Sequence, residues 1–162
     1  MDDFQSLRAQ FAEAVPFARH AGVEIDEIAD GYAVAQLTQS EQLSNHLGSL
    51  HAGAIFTLGE AASGAAMIGA FAEMATMIRP VATSANISYL KLGRGIITAK
   101  ARTDVSGADL RHQLRTNGLV TFEINVDLQD ARERVIAQVT VSWRVTMPRS
   151  AVPAGTFGDS PS

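Results

Sequence analysis

Residues 45–64 read NHLGSLHAGAIFTLGEAASG, and from Ala52 the same composition continues to about Phe71. The run from Ala52 is made almost wholly of Ala, Gly and larger apolar residues, with Thr57 and Ser63 among them and one charged residue, Glu60, near its middle. A helix that is apolar nearly all round is buried on every side rather than laid on a surface. The length also suffices for a membrane span. The small residues, the central carboxylate and the strands that follow at once argue instead for a core helix, so no membrane span is expected. Glu60 then needs an explanation, because an ionised side chain without a partner is costly to bury.

Around this helix the pattern changes to strands. Phe4, Leu7, Phe11 and Val15 recur at steps of three and four, which predicts a short amphipathic helix over 1–15 with Pro16 near its end. Residues 22–29 and 32–39 predict two strands around an Asp30-Gly31 turn. Farther on, Val120, Phe122, Ile124, Val126 and Leu128 share one strand face, and Ala137, Val139, Val141, Trp143 and Val145 share another. Segments 82–92 and 96–105 alternate as well, and 109–115 predicts a helical connection closed by Asn117-Gly118. The fold class is α+β: one long central helix wrapped by a curved antiparallel sheet of about six strands, dry on one face. The domain is expected over 16–148, preceded by the N-terminal helix and followed by a flexible tail over 149–162, rich in Pro, Gly and Ser.

Composition narrows the function. The 162 residues include 46% apolar and 19% charged residues, as in an ordinary globular domain with a real core. The net charge of −4 gives no broad attraction to nucleic acid or anionic membrane, so no nucleic-acid partner is expected. The absence of cysteine removes disulfides, thiolate nucleophiles and Cys-based zinc sites. No metal cluster, phosphate loop or nucleotide fingerprint is present, and no cofactor or metal is expected. The acidic, amphipathic start lacks the features of a signal peptide, which makes a cytoplasmic location the expectation.

The spacing Asn45-x-x-Gly48-x-x-His51-x-Gly53, followed by Glu60, resembles the signature of hotdog-fold acyl-CoA thioesterases of the phenylacetate-catabolism type. It is also similar to a less characterised hotdog group whose helix carboxylate is Glu. The resemblance covers roughly residues 16–147 and implies hydrolysis of an acyl-CoA to a carboxylic acid and free thiol. It implies that Asn45 holds the attacking water or the thioester, and that His51 shapes the start of the helix rather than acting as base. The Ala52 N–H would then point at the thioester carbonyl, with Glu60 as general base or nucleophile. Gly53 and the strand residues Thr83 and Ser84 would border the substrate. Three departures stand out: Ala52-Gly53 replaces the usual Gly-Gly, Glu60 replaces the usual Asp, and Ala82 falls near where some members carry Ser or Thr.

Elementary chemistry agrees with these roles. A thioester carbonyl gains negative charge when attacked, and free N–H groups at a helix N-terminus stabilise it. A carboxylate in apolar surroundings is a stronger base than one in water. Ala52 and Glu60 are eight residues apart, roughly 12 Å along the helix axis, so one carbonyl cannot touch both within one chain. A two-fold homodimer with antiparallel helices would bring Ala52 of one copy to Glu60 of the other, either as a dimer or within a tetramer.

The plainer readings are these. Glu60 accepts hydrogen bonds from a loop at a dimer interface, His51 is a structural histidine, and Asn45 caps a turn. Arg79, Lys91, Arg94 and Arg102 are solvated strand ends, with coenzyme A phosphates as the alternative. Two other functions fit the fold. A 3-hydroxyacyl thioester dehydratase would use His46, fourteen residues before Glu60, but its Pro-Gly pair is missing. A non-catalytic acyl-thioester-binding dimer would account for the departures at Ala52 and Ala82.

Overall fold

The computed structural model describes residues 3–148; residues 1 and 2 and the tail expected over 149–162 lie outside them. In chain order the elements are α1 (Asp3–Ala14), α2 (Pro16–His20), β1 (Glu24–Ala29), β2 (Tyr32–Thr38), α3 (Ala52–Ala70), β3 (Arg79–Tyr89), β4 (Ile96–Thr103), α4 (Gly107–Asn117), β5 (Leu119–Gln129) and β6 (Val135–Thr146). Short 3-10 turns occupy Glu41–Leu43 and Ala72–Met74. Pro16 does more than follow the first helix. It occupies the first turn of α2, where its missing N–H costs nothing and its fixed φ suits the helix.

The six strands form one antiparallel sheet in the order β1-β2-β4-β5-β6-β3. Its inner face wraps α3, which packs against β1, β2, β4, β5 and β6. Thirteen of the nineteen residues of α3 are buried, and the six that are not (Ala52, Gly53, Phe56, Thr57, Glu60 and Ile68) lie at its start and along one stripe. By length and composition α3 could cross a membrane, yet 72% of its most apolar window is buried within this fold. The alternation in β5 and β6 places Val120, Phe122, Ile124, Val126 and Leu128 beside Ala137, Val139, Val141, Trp143 and Val145 in the core. The opposite face carries polar pairs, such as Thr140 to Asn125 at 2.9 Å and Gln138 to Asp127 at 2.9 Å. The connection predicted over 109–115 is the longer α4, capped by Ser106 at its start and by left-handed Gly118 (φ 70°) at its end.

β3 departs from the expected one-sided pattern. It begins at Arg79 and stops at Tyr89, and only Pro80 and Ile87 are partly buried. The strand lies at the sheet edge beyond most of the cover of α3, so alternation in its sequence is not matched by burial within one chain. Val81 is 58% exposed and Tyr89 48% exposed.

The glycines of α3 do not all serve the sheet. Gly59 lies against Val139 and Leu128, and Gly69 lies against the backbone of β1. Gly64 instead faces Phe11 of α1 and Trp143, and Gly53 faces only its neighbour His51. A Cβ at Gly69 would collide with the carbonyl oxygen of Ala29 and come within 2.9 Å of Ile28. Ala in place of Gly gains about 0.5–1 kcal/mol of helix stability where space allows. Here the colliding atom is backbone in a paired strand, and overpacking of this kind costs about 1–3 kcal/mol. Set against the helix gain, Gly69→Ala is therefore expected to lower the unfolding free energy by about 0.5–2 kcal/mol in urea titrations. A variant as stable as the parent would contradict the close approach of α3 to β1.

Candidate active site

The loop ahead of α3 is held by Asn45. Its Oδ1 accepts from the backbone N–H groups of Leu47 (2.9 Å) and Ser49 (3.2 Å), and its Nδ2 donates to Ser49 Oγ (3.0 Å) and the Leu50 carbonyl (3.2 Å). Ser49 is fully buried beneath this turn. The expectation that Asn45 holds a water or thioester meets a side chain already saturated by its own loop. Asn45 therefore appears in this chain as the organiser of residues 45–50. Arg94 adds a second clamp, donating to the carbonyls of Gly48 (3.3 Å) and Leu47 (3.2 Å). Sequence reasoning placed Arg94 among solvated strand ends and missed this use, since nothing in the local pattern links it to a loop 46 residues away.

This loop delivers His51 as the N-cap of α3. The backbone of His51 is extended, and its Nδ1 accepts from the Gly53 N–H at 2.9 Å. The N–H groups of Ala54 and Ile55 both bond to the His51 carbonyl. Of the first four N–H groups of α3, that of Ala52 alone has no partner among the described residues. Ala52 is exposed, and its carbonyl accepts from the Tyr89 hydroxyl at 3.0 Å. Tyr89 thus ties the end of β3 to the first turn of α3.

Glu60 lies two turns farther along and belongs to other surroundings. Its carboxylate receives no hydrogen bond from the described residues, and burial pushes its carboxyl above the ordinary value of 4.5. The turn that carries it is fixed by Ser63, whose hydroxyl donates to the Glu60 carbonyl (2.7 Å) and accepts from Trp143 Nε1 (3.3 Å). Glu60 borders a cavity of about 330 Å³ between α1, α3 and Trp143. His51 and Gly53 border a different cleft of about 920 Å³, on the side of α2. One chain therefore gathers Asn45, His51, Ala52 and Gly53 and leaves Glu60 apart from them.

The remaining residues singled out in the sequence lie elsewhere. The strand slips register between Ala82 and Ser84, and both Thr83 and Ser84 are exposed there. Thr83 Oγ1 donates to the Ser142 carbonyl at 3.2 Å. Neither residue borders the Glu60 cavity or the His51 cleft. His46 is exposed at the loop tip and borders neither of them. Among the described residues no group of three His, Asp or Glu side chains is placed to hold a metal ion.

A long helix wrapped by a six-stranded antiparallel sheet, with a capped helix start and a carboxylate in mid-helix, defines a hotdog fold. The chain belongs to the family described as a domain of unknown function, DUF4442, whose model matches residues 5–145. No curated protein matches it. Among solved structures, a protein of unknown function from Pseudomonas aeruginosa called a probable thioesterase, PA5026, is 22% identical with a TM-score of 0.77, over 89% of this chain and 95% of that one. A hypothetical thioesterase from Streptococcus pneumoniae, solved with coenzyme A, is 24% identical with a TM-score of 0.65, over 88% and 98% of the two chains. The E. coli PaaI protein, from the phenylacetic acid degradation operon, is 21% identical with a TM-score of 0.63, over 88% and 94%. These likenesses show the shared fold.

The surroundings of Glu60 set a pH dependence of stability. Because folding raises its carboxyl above 4.5, the neutral form is the one the fold favours. That contribution is fully present below the unfolded-state value and is lost as pH rises through the folded-state value. Glu60→Gln does not titrate, so its stability relative to the parent should grow from about pH 4.5 upward and then level off. Paired urea titrations across this range check it; a gap independent of pH, or one that closes as pH rises, would contradict the assignment.

Proposed function

We propose that the protein is a thioester hydrolase acting on an acyl-CoA, releasing the carboxylic acid and free coenzyme A, with sites shared between two copies of the chain. The observation that carries this reading is the separation of two chemically complementary groups. One is an unpartnered N–H at Ala52. The other is a carboxylate at Glu60 that accepts no hydrogen bond and is held above its ordinary pKa. Attack on a thioester needs both a base for the water and a donor for the oxyanion.

In the proposed reaction the Glu60 carboxylate of one copy takes a proton from water, or attacks the carbonyl itself. The carbonyl oxygen becomes an oxyanion that accepts from the Ala52 N–H of the other copy. Collapse of that intermediate breaks the C–S bond, and the thiolate of coenzyme A leaves and takes up a proton; in the direct-attack branch, water then hydrolyses the acyl-Glu60 anhydride, which frees the carboxylic acid and regenerates the carboxylate. His51 keeps the Gly53 N–H occupied and fixes the first turn of α3. Asn45 acts through the loop, as a positioning residue. The exposed edge of β3, with apolar side chains at Val81 and Tyr89 and at Leu90 and Leu92 in the segment that follows it, supports an interface between copies, since a long uncovered edge strand invites pairing. The solved thioesterase with coenzyme A supports the substrate class by fold alone.

The dehydratase reading would require His46 beside the substrate, and its exposed place at the loop tip favours hydrolysis. Glu60→Gln should lower thiol release from acyl-CoA esters by about 10²–10⁴-fold with the fold intact. Asn45→Ala should lower it less, and His46→Ala should change it little. Hydration of a 2-enoyl-CoA that disappears in the His46 variant would reverse the assignment. So would near-normal hydrolysis by a folded Glu60→Gln protein.

A further inference from the structure

The cavity beside Glu60 has a shape and a wall that go beyond the position of the carboxylate. It follows α3 from Glu60 past Gly64 to Ile68. At about 1.5 Å per residue this path is roughly 12 Å, the length of about nine or ten carbons in an extended chain of ~1.5 Å bonds. The cavity holds about 330 Å³. Ala75 and Thr76, beyond the C-terminal end of α3, also border it.

The wall is apolar and aromatic. Phe11 from α1 and Trp143 from β6 stand on either side of Gly64: a Cβ there would lie 3.4 Å from the Phe11 ring and 3.7 Å from Trp143. A Cβ alone would make ordinary contact there, whereas a branched side chain at position 64 would extend toward these rings and into the space they border. Among the described residues of one chain, Glu60 is the one ionisable group on the wall. A second carboxylate on the substrate would find no cation and would face Glu60, at a large cost in desolvation.

We propose that this cavity is the acyl pocket of the thioesterase site and selects an uncharged, apolar acyl group of about eight to ten carbons, with Gly64 and Phe11 setting the length. The assignment rests on the hydrolase reading for its chemistry but on the cavity for its selectivity. α1 becomes a wall of the substrate site, so the N-terminal helix is part of the specificity machinery.

Trp143 is the sole tryptophan of the chain, so its fluorescence reports occupancy without turnover. Two measurements are made together. Thiol release is followed for saturated acyl-CoA esters from acetyl to palmitoyl in the parent, Gly64→Val and Phe11→Ala proteins. Trp143 emission is followed in Glu60→Gln protein titrated with octanoyl-CoA, acetyl-CoA and free coenzyme A. The parent kcat/KM should peak at octanoyl or decanoyl. Gly64→Val should lower the octanoyl-to-acetyl ratio of kcat/KM at least tenfold, and Phe11→Ala should move the peak to a longer chain. Octanoyl-CoA alone should shift the emission. A length profile identical in all three proteins, or emission that responds equally to free coenzyme A or to no ligand, would overturn the pocket assignment, the last also being the result if a second copy fills the cavity. Should no ester be hydrolysed while octanoyl-CoA still shifts the emission, the hydrolase reading fails and the acyl pocket stands.

Discussion

The structure depends on α3 being buried along most of its surface. A helix can be enclosed that tightly only if much of its surface is small, and Ala and Gly supply most of it. Their cost is weak helix propensity at each glycine, offset by the contact that the missing side chain permits. At Gly69 the contact is with the backbone of β1, and at Gly59 it is with Val139 and Leu128. At Gly64 it lets the helix surface meet Phe11 and Trp143 beside the cavity that Glu60 borders.

Such a helix has little tolerance for polar groups, and each one present has a visible reason. The Ser63 hydroxyl is satisfied by the Glu60 carbonyl and Trp143 Nε1, so it pins the sheet to the turn that bears the carboxylate. The His51 imidazole closes the first turn. Glu60 alone has no partner within the chain, and desolvation raises its pKa accordingly. The unpartnered N–H of Ala52 and the unpartnered carboxylate lie at two points on one rigid rod. Within a chain they cannot meet. Two rods facing each other in opposite directions solve that geometry twice over by symmetry.

Much of this was legible in the sequence because periodicity reports burial. The 52–71 run, the alternation of β5 and β6 and the turn at Asp30-Gly31 all describe local relations between neighbours, and the structure follows them closely. The spacing from Asn45 to Gly53 likewise announced a helix start, which the His51 cap realises. What the sequence left hidden are relations between distant residues. The grip of Arg94 on the 47–48 carbonyls and the bond from Tyr89 to Ala52 join elements far apart in the chain. The side chain of Asn45 was assigned to substrate, but a fully used set of loop hydrogen bonds can be seen only once the loop is folded. β3 looked one-sided because alternation was read as burial, whereas its place at the sheet edge leaves it exposed in a single chain. The role of Phe11 was legible only as part of an amphipathic helix; that it faces Gly64 depends on where α1 docks.

The most direct test of the shared site is complementation between two single-lesion chains. Ala52→Pro removes the proposed N–H donor at a first helical position, where proline is well accommodated, and the extended backbone of His51 suits a following proline. Glu60→Gln removes the carboxylate. Each protein alone should be nearly inactive. Mixed and re-associated, the heterodimer carries both lesions in one site and none in the other, so it should recover up to about half of native thiol release. Heterodimers that form and remain inactive, or a parent protein that is active as a monomer, would contradict the account.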